Sequence, residues 1–338
     1  MQPGPMQSGP ALQPMAESVA TGGDPCYQGC QGIPTWEFFG DFMYLRPRNA
    51  NVAYGVEFNG PPNTPPGAAT PIQVAEPGTA SIDFHPGWRV GFAKSLDECN
   101  AVVATFSHYE GEDQDSISVP SDLQQQGILI RSMVSQPSTW TAAPVGDWLQ
   151  AASDYQMIYS LADIDFRWTF ENQNDTRLSL FAGMRYASLD QRLDVSLTSS
   201  SDLQNVHSQV NFEGGGLRIG FEGQRRTPFG LVFYGRTAAS LVAGTFRCAY
   251  SQTSLYNGLL VDTGYPADRV VPILDAELGT GLSLWNDKLR LTAGYSFSGW
   301  FNIVRTDQFI GAVQSNNFTG MNNALTFDGF VGRIELQF

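Results

Sequence analysis

The chain has almost no lysine, few histidines and cysteines, and no long apolar run, and each scarcity removes a class of protein. A helix needs about eighteen or more apolar residues in a row to cross a bilayer, and nowhere in the 338 residues is there such a run. Helical membrane spans are therefore excluded. A membrane barrel is not, because its alternating strands average to a bland mean hydropathy, here −0.18. Basic residues number 19 against 33 acidic ones, and a net charge of −14 argues against phosphate contacts with nucleic acid. Only Lys94 and Lys288 are lysines, so arginine carries the positive charge. Its planar guanidinium suits buried, multiply bonded networks.

Chemistry-bearing motifs are equally thin. The histidines His85, His108 and His207 belong to no H-E-x-x-H motif, and there is no G-x-S-x-G elbow. The glycines between Gly214 and Gly220 precede no helix, so a dinucleotide reading fails its context. Cys26 and Cys30 have no histidine nearby and make a poor zinc signature; a local disulfide and free thiols stay open as alternatives. Cys99 and Cys248 lie further along. The acidic group Glu110, Glu112, Asp113 and Asp115 reads as a solvated loop tip in preference to a calcium site, since the remaining EF-hand spacing is missing. No catalytic, cofactor or metal residues are expected.

What is present is alternation. In the closing stretch, Phe330, Ile334, Leu336 and Phe338 share one parity; Val331, Arg333, Glu335 and Gln337 share the other. A two-residue period means a strand with one apolar and one polar face. A strand ending on an aromatic suits the closing strand of an outer-membrane barrel. From Trp36 onward the pattern recurs through ten segments. Trp36, Phe38, Phe42 and Tyr44 oppose Glu37 and Asp41; Ile164, Phe166 and Trp168 oppose Asp163, Asp165 and Arg167; Leu180, Met184 and Tyr186 oppose Arg177 and Arg185. The Gly214–Gly216 run predicts a bulge or bend.

Connections read alternately short (94–99, 171–175, 223–228, 286–288) and long (47–79, 111–153, 190–205, 250–269, 304–322), as in barrels with periplasmic turns and extracellular loops. Trp36, Phe92, Trp168, Phe170, Phe229, Trp285 and Phe338 fall at the short-turn ends; Tyr44, Tyr109, Tyr155, Tyr186 and Trp300 fall at the other ends, as two interfacial belts. The expected fold is all-β: a transmembrane antiparallel up-and-down barrel of ten strands, or twelve, over residues 35–338. Residues 1–34, rich in Pro, Gly and Gln, read as a disordered lead-in without a recognisable secretory signal.

Parity turns one set of charges toward the lumen: Glu37, Asp41, Asp83, Arg89, Asp163, Asp165, Arg167, Arg177, Arg185, Arg218, Glu222, Arg236, Asp275, Glu277, Arg290, Arg333 and Glu335. In a narrow barrel such charges survive only when paired; in a wide one they line water. The first reading is a pore-forming or structural surface barrel, with an acidic excess that predicts mild cation preference if it conducts. An adhesin or receptor working through long extracellular loops is an alternative, and a soluble secreted β-sandwich a second one. Expected partners are outer-membrane lipid, the barrel-assembly machinery through Phe330, Ile334, Leu336 and Phe338, and small solutes or ions, with no nucleic acid.

The stretch Trp36-Glu-Phe-Phe-Gly-Asp-Phe-Met-Tyr-Leu-Arg46, with Val52-Ala-Tyr54, Phe84-His-Pro-Gly-Trp-Arg-Val-Gly91, Phe181-Ala-Gly-Met-Arg-Tyr186 and the terminal Phe338, resembles the Legionella major-outer-membrane-protein-like family of pore-forming barrels, in its planctomycete type. The resemblance spans about 35 to 338 and implies a bacterial outer-membrane location and a porin role. It implies no catalytic residues.

Overall fold

The computed structural model describes residues 36–59, 72–97, 99–136, 148–172, 176–285 and 288–338. The lead-in segment 1–34 with Cys26 and Cys30 lies outside them, as do parts of the expected turns 171–175 and 286–288. Fourteen strands and two helices follow in order: β1 Trp36–Arg48, β2 Val52–Asn59, β3 Ile72–Gln73, β4 Gly78–Ala80, β5 His85–Ser95, β6 Asn100–Ser118, α1 Ser121–Gln124, β7 Ile128–Ser132, β8 Gln150–Asn172, β9 Thr176–Thr198, β10 Leu203–Arg226, β11 Leu231–Ser254, β12 Gly258–Leu284, β13 Leu289–Ile303, α2 Thr306–Ser315 and β14 Asn323–Gln337. Ten of the strands close an antiparallel barrel in the order β1-β14-β13-β12-β11-β10-β9-β8-β6-β5. The seam joins first to last: Glu37 stands opposite Gln337 and Tyr44 opposite Phe330. The Phe338 amide donates to the Trp36 carbonyl at 2.9 Å.

Polarity along the tall strands inverts at a common height. On β8 the outward residues are Ala162, Ile164, Phe166, Trp168 and Phe170 in the lower half, and Gln150, Ala152, Asp154 and Gln156 in the upper half. The inward residues do the reverse: Asp163, Asp165 and Arg167 below, Tyr155, Met157, Tyr159 and Leu161 above. Strand β9 repeats this, with Leu180 and Met184 outward below and Asp190, Arg192 and Asp194 outward above. An apolar band of about nine residues, at roughly 3.3 Å each and a tilt near 40°, is about 23 Å tall, the height of an outer-membrane barrel's lipid belt. Phe330, Leu284 and Leu180 are exposed on that belt, whereas Arg185 and Arg290 are buried.

The five strands β8 to β12 have 23 to 27 residues, while β1, β5, β13 and β14 have 11 to 15. One wall therefore rises far above the membrane and the opposite side stops near it. The gap is filled from the short side. A small sheet, β2 paired with β3, β4 and β7, sits against β6 and β8, and α2 against β9, β10 and β11. Their apolar faces meet the tall wall's inner face in one core that includes Tyr54, Ile130, Phe212, Phe246, Trp300, Phe309 and Phe327. Above the membrane the strands obey the rule of a soluble protein, apolar inward and polar outward. The closed barrel sets aside the soluble sandwich as the whole fold.

Several expectations change. Residues 190–205 and 250–269 are chiefly strand, ending in tight hairpins at 199–202 and 255–257; the long connections are those between β1 and β5, β6 and β8, and β13 and β14. Tyr109, Tyr155 and Trp300 have inward parity and are buried, so the upper belt consists of Tyr44, Trp88, Tyr186 and Tyr295. Gly214–Gly216 form no bulge, since β10 keeps register with both neighbours. A Cβ at Gly216 would run into the Leu241 carbonyl, so close approach of the next strand is what requires glycine there. Glu213 and Asp328, which break the charge-inward rule, face outward at or above the upper edge of the belt; Asp328 is held there by Arg48 and Tyr295.

Candidate functional site: the lumen

Sixteen of the charges assigned to the lumen project from inward positions of the wall: Arg89, Arg167, Arg177, Arg185, Arg218, Arg236, Arg290 and Arg333, with Glu37, Asp41, Asp163, Asp165, Glu222, Asp275, Glu277 and Glu335. Asp83 does not join them. It lies in the connection after β4, exposed, 3.3 Å from Arg46 of the outer face, because the strand begins only at His85. The remaining charges balance, eight against eight.

They form a floor in three tiers. At the periplasmic end Arg167 donates to Glu37 at 2.9 Å, and Arg290 donates to Gln224 at 3.0 Å and pairs with Glu335 at 3.2 Å. In the middle, Asp41 accepts both a bidentate pair from Arg333, at 2.8 and 3.0 Å, and the Nε of Arg89, whose Nη2 reaches Glu277 at 2.6 Å. Tyr234 adds a hydroxyl to Glu277 at 3.0 Å. In the top tier Arg185 grips Asp163 with Nε and Nη2, at 2.7 and 2.9 Å, and Asp275 with Nη1, at 2.6 Å. Arg218 joins Asp163 and Asp165 at 2.8 and 2.6 Å. Some pairs, such as Asp41 with Arg333 and Asp163 with Arg185, join neighbouring strands in register; others, Arg167 with Glu37, Arg89 with Glu277 and Arg185 with Asp275, reach across the lumen between non-adjacent strands.

The plug begins directly above. Tyr109, Tyr159, Trp300 and Phe327, from β6, β8, β13 and β14, meet with ring centroids 4.7 to 6.4 Å apart. Trp300 donates to Ser298, which donates to Asp275, so the aromatic layer is bonded to the floor. Higher up, Gln191 takes the backbone of Thr306 at 3.3 Å and donates to Val304 at 3.0 Å, holding the start of α2. Tyr250 donates to the Val134 carbonyl at 2.8 Å. The cavities left along the axis are about 50, 30 and 10 Å³.

The aromatic layer and plug escaped sequence reasoning, although the run Leu189, Leu193, Val195, Leu197 on the parity of Arg185 carried the signal. Outside the lumen, His207 pairs with Asp194 at 2.7 Å and His108 meets Ser160 at 3.1 Å, both on the outer wall. The acidic group is split by alternation: Glu110 and Glu112 face out, while Asp115 accepts from Tyr54 and Asp113 from the Ser81 amide. Among the described residues no group of three or more His, Cys, Asp or Glu is placed to hold a metal. Cys99 is disulfide-bonded, and Cys248 is a buried free thiol whose pKa burial pushes up to about 12.

Ten antiparallel strands closed on themselves, apolar toward lipid and charged toward the axis, define an outer-membrane β-barrel of a bacterial envelope. Residues 30–337 match the family described as Legionella pneumophila major outer membrane protein precursor, and the chain belongs to that family. No curated protein matches it. Among solved structures it is similar to the outer membrane protease OmpT of Escherichia coli, at 11% identity over 89% of this chain and 97% of that one, TM-score 0.46. The toluene transporter TodX of P. putida matches at 10% identity over 90% of each chain, TM-score 0.27. A Pseudomonas aeruginosa FadL homologue matches at 7% over 90% and 92%, TM-score 0.24. These likenesses say nothing of what this chain binds or does.

Proposed function

We propose that this outer-membrane barrel is a non-enzymatic structural surface protein whose working face is its extracellular head, and that it holds no standing pore. The filled lumen carries this reading: paired charges below, an apolar layer and plug above, and between them, among the described residues, cavities of about 50, 30 and 10 Å³. Outer-membrane lipid covers the belt, and the β14 face with Phe330, Ile334, Leu336 and Phe338 serves as the signal for the assembly machinery. Adhesion or receptor binding through the head fits the same geometry, because the tall wall and its hairpins stand clear of the membrane.

A plug-gated pore is the second reading, favoured by one observation: the small sheet and α2, which cap the aromatic layer, belong to connections and not to wall strands, so they could leave without opening the barrel seam. Because the sixteen charges of the floor balance and Arg226 adds a further cation at the periplasmic end, the acidic excess on the outer head gives the path no built-in cation preference. Planar-bilayer recording of purified protein tests both readings. Near-silence supports the structural reading, with conductance after deletion of Thr306–Ser315 supporting the gated one. Steady porin-like current from the intact protein would refute the closed barrel.

A further inference from the structure

The upper cavity, about 50 Å³, lies between the ion-paired floor and the aromatic layer. Thr105, Arg218 and Arg236 all line it. Thr105 and Arg218 are each more than nine-tenths buried, yet Thr105 Oγ1 and Arg218 Nε have no hydrogen-bond partner, and neither has Arg236 Nε. The cavity's arginines other than Arg236 are held by carboxylates: Arg89 by Asp41 and Glu277, Arg185 by Asp163 and Asp275, and Arg218, through Nη1 alone, by Asp163 and Asp165. Among the described residues Arg236 forms no ion pair. Its guanidinium lies 5.0 Å from the Phe181 ring centroid, and that of Arg218 lies 5.1 Å from the same centroid.

Two guanidinium groups on one ring repel each other, and Arg236, half-buried and without an ion pair, adds a positive charge that no carboxylate bonds. Guanidinium nitrogens donate and never accept, and the Thr105 hydroxyl can donate as well. The opening takes a particle the size of water or of a monatomic ion. We propose that this cavity binds one small monovalent anion of the halide class, held by Arg218 and Arg236 with the Thr105 hydroxyl. The site needs no conductance and stands apart from the reading of the head. Its rivals within the chain are Glu222 and Glu277, which face Arg236 in the β10–β11 and β11–β12 registers; Glu222 and Asp165 also share the cavity of about 10 Å³ with it. A swing of either glutamate onto Arg236 would supply the counter-charge internally.

Diffraction from full-length protein crystallised in sodium bromide separates these outcomes. The proposal expects an anomalous peak within hydrogen-bonding distance of Thr105 and Arg236 that is lost in Arg236→Gln. In solution, bromide should raise the unfolding temperature by about 2 °C or more over gluconate at equal ionic strength, a shift absent from Arg236→Gln. Heat-modifiable gel mobility shows whether that variant is folded. If it is not, Thr105→Val replaces it, with weakened bromide occupancy expected. An empty anomalous map, a peak indifferent to both substitutions, or Arg236 seated on Glu222 or Glu277 would overturn the proposal.

Discussion

Arg185→Ala is the sharpest test of the floor. The side chain is 2% exposed and makes three bonds, two to Asp163 and one to Asp275. Truncation leaves Asp275 with Ser298 and Asp163 with Arg218, so both carboxylates are under-compensated but not abandoned. Breaking a buried pair from one side costs about 3–5 kcal/mol, and retained partners place this case near the lower figure. Arg192 supplies the control. It pairs with Asp194 at 3.4 Å on the outer wall of the head, both about half exposed, and its removal should cost about 0–1 kcal/mol. Guanidinium unfolding of the detergent-folded barrel, followed by heat-modifiable mobility and tryptophan fluorescence, measures both. A cycle with Asp163→Ala should give a coupling above about 1 kcal/mol for Arg185. Equal, sub-kcal/mol effects for Arg185→Ala and Arg192→Ala would refute a buried, ion-paired floor.

Other expectations follow from the same geometry. Leu278→Arg, on the belt near mid-height, should destabilise vesicle-folded protein by about 2–4 kcal/mol, whereas Asn211→Arg on the outer head should be nearly neutral. Trp300→Ala, removing a fully buried plug residue, should cost about 3–5 kcal/mol and loosen the head before the belt, read by hydrogen exchange. Cys248 should resist maleimide in the folded protein at pH 7–8. With its pKa raised to about 12 the thiol stays protonated well above that range, and burial denies access; labelling should become rapid only after unfolding. Truncation of Phe338 should slow assembly into the heat-modifiable form while leaving the lumen pairs intact.

Much of the lower barrel was legible, because the lower halves of β8, β9 and β14 put every charge opposite the large apolar residues. The head was not. There Asp190, Arg192 and Asp194 face outward and Leu189, Leu193 and Val195 inward, the reverse of Arg185 and Met184 a few residues earlier. A reader who assigns charge to the axis sees such a segment as a broken strand and makes it a loop. The side-chain period never changes; only the solvent outside does, from hydrocarbon to water. Tyr109 and Trp300 were misplaced for a related reason, since height without parity cannot tell a belt aromatic from a core one. Asp83 was assigned by parity from a strand start two residues too early. The floor's charged residues were readable from parity, but which arginine meets which carboxylate depends on contacts across the barrel that no local pattern encodes.

One set of strands serves two solvents, hydrocarbon below and water above. Nitroxide scanning of β8 from Gln150 to Phe170 in lipid bilayers, with oxygen and a water-soluble nickel chelate as relaxants, measures this directly. Exposure should be oxygen-dominated at Ala162, Ile164, Phe166 and Trp168 and chelate-dominated at Gln150, Asp154 and Gln156, with little of either at Tyr155, Met157 and Asp165. Water-dominated exposure at Asp163 and Asp165, with Ile164 and Phe166 shielded from both relaxants, would contradict the two-solvent arrangement.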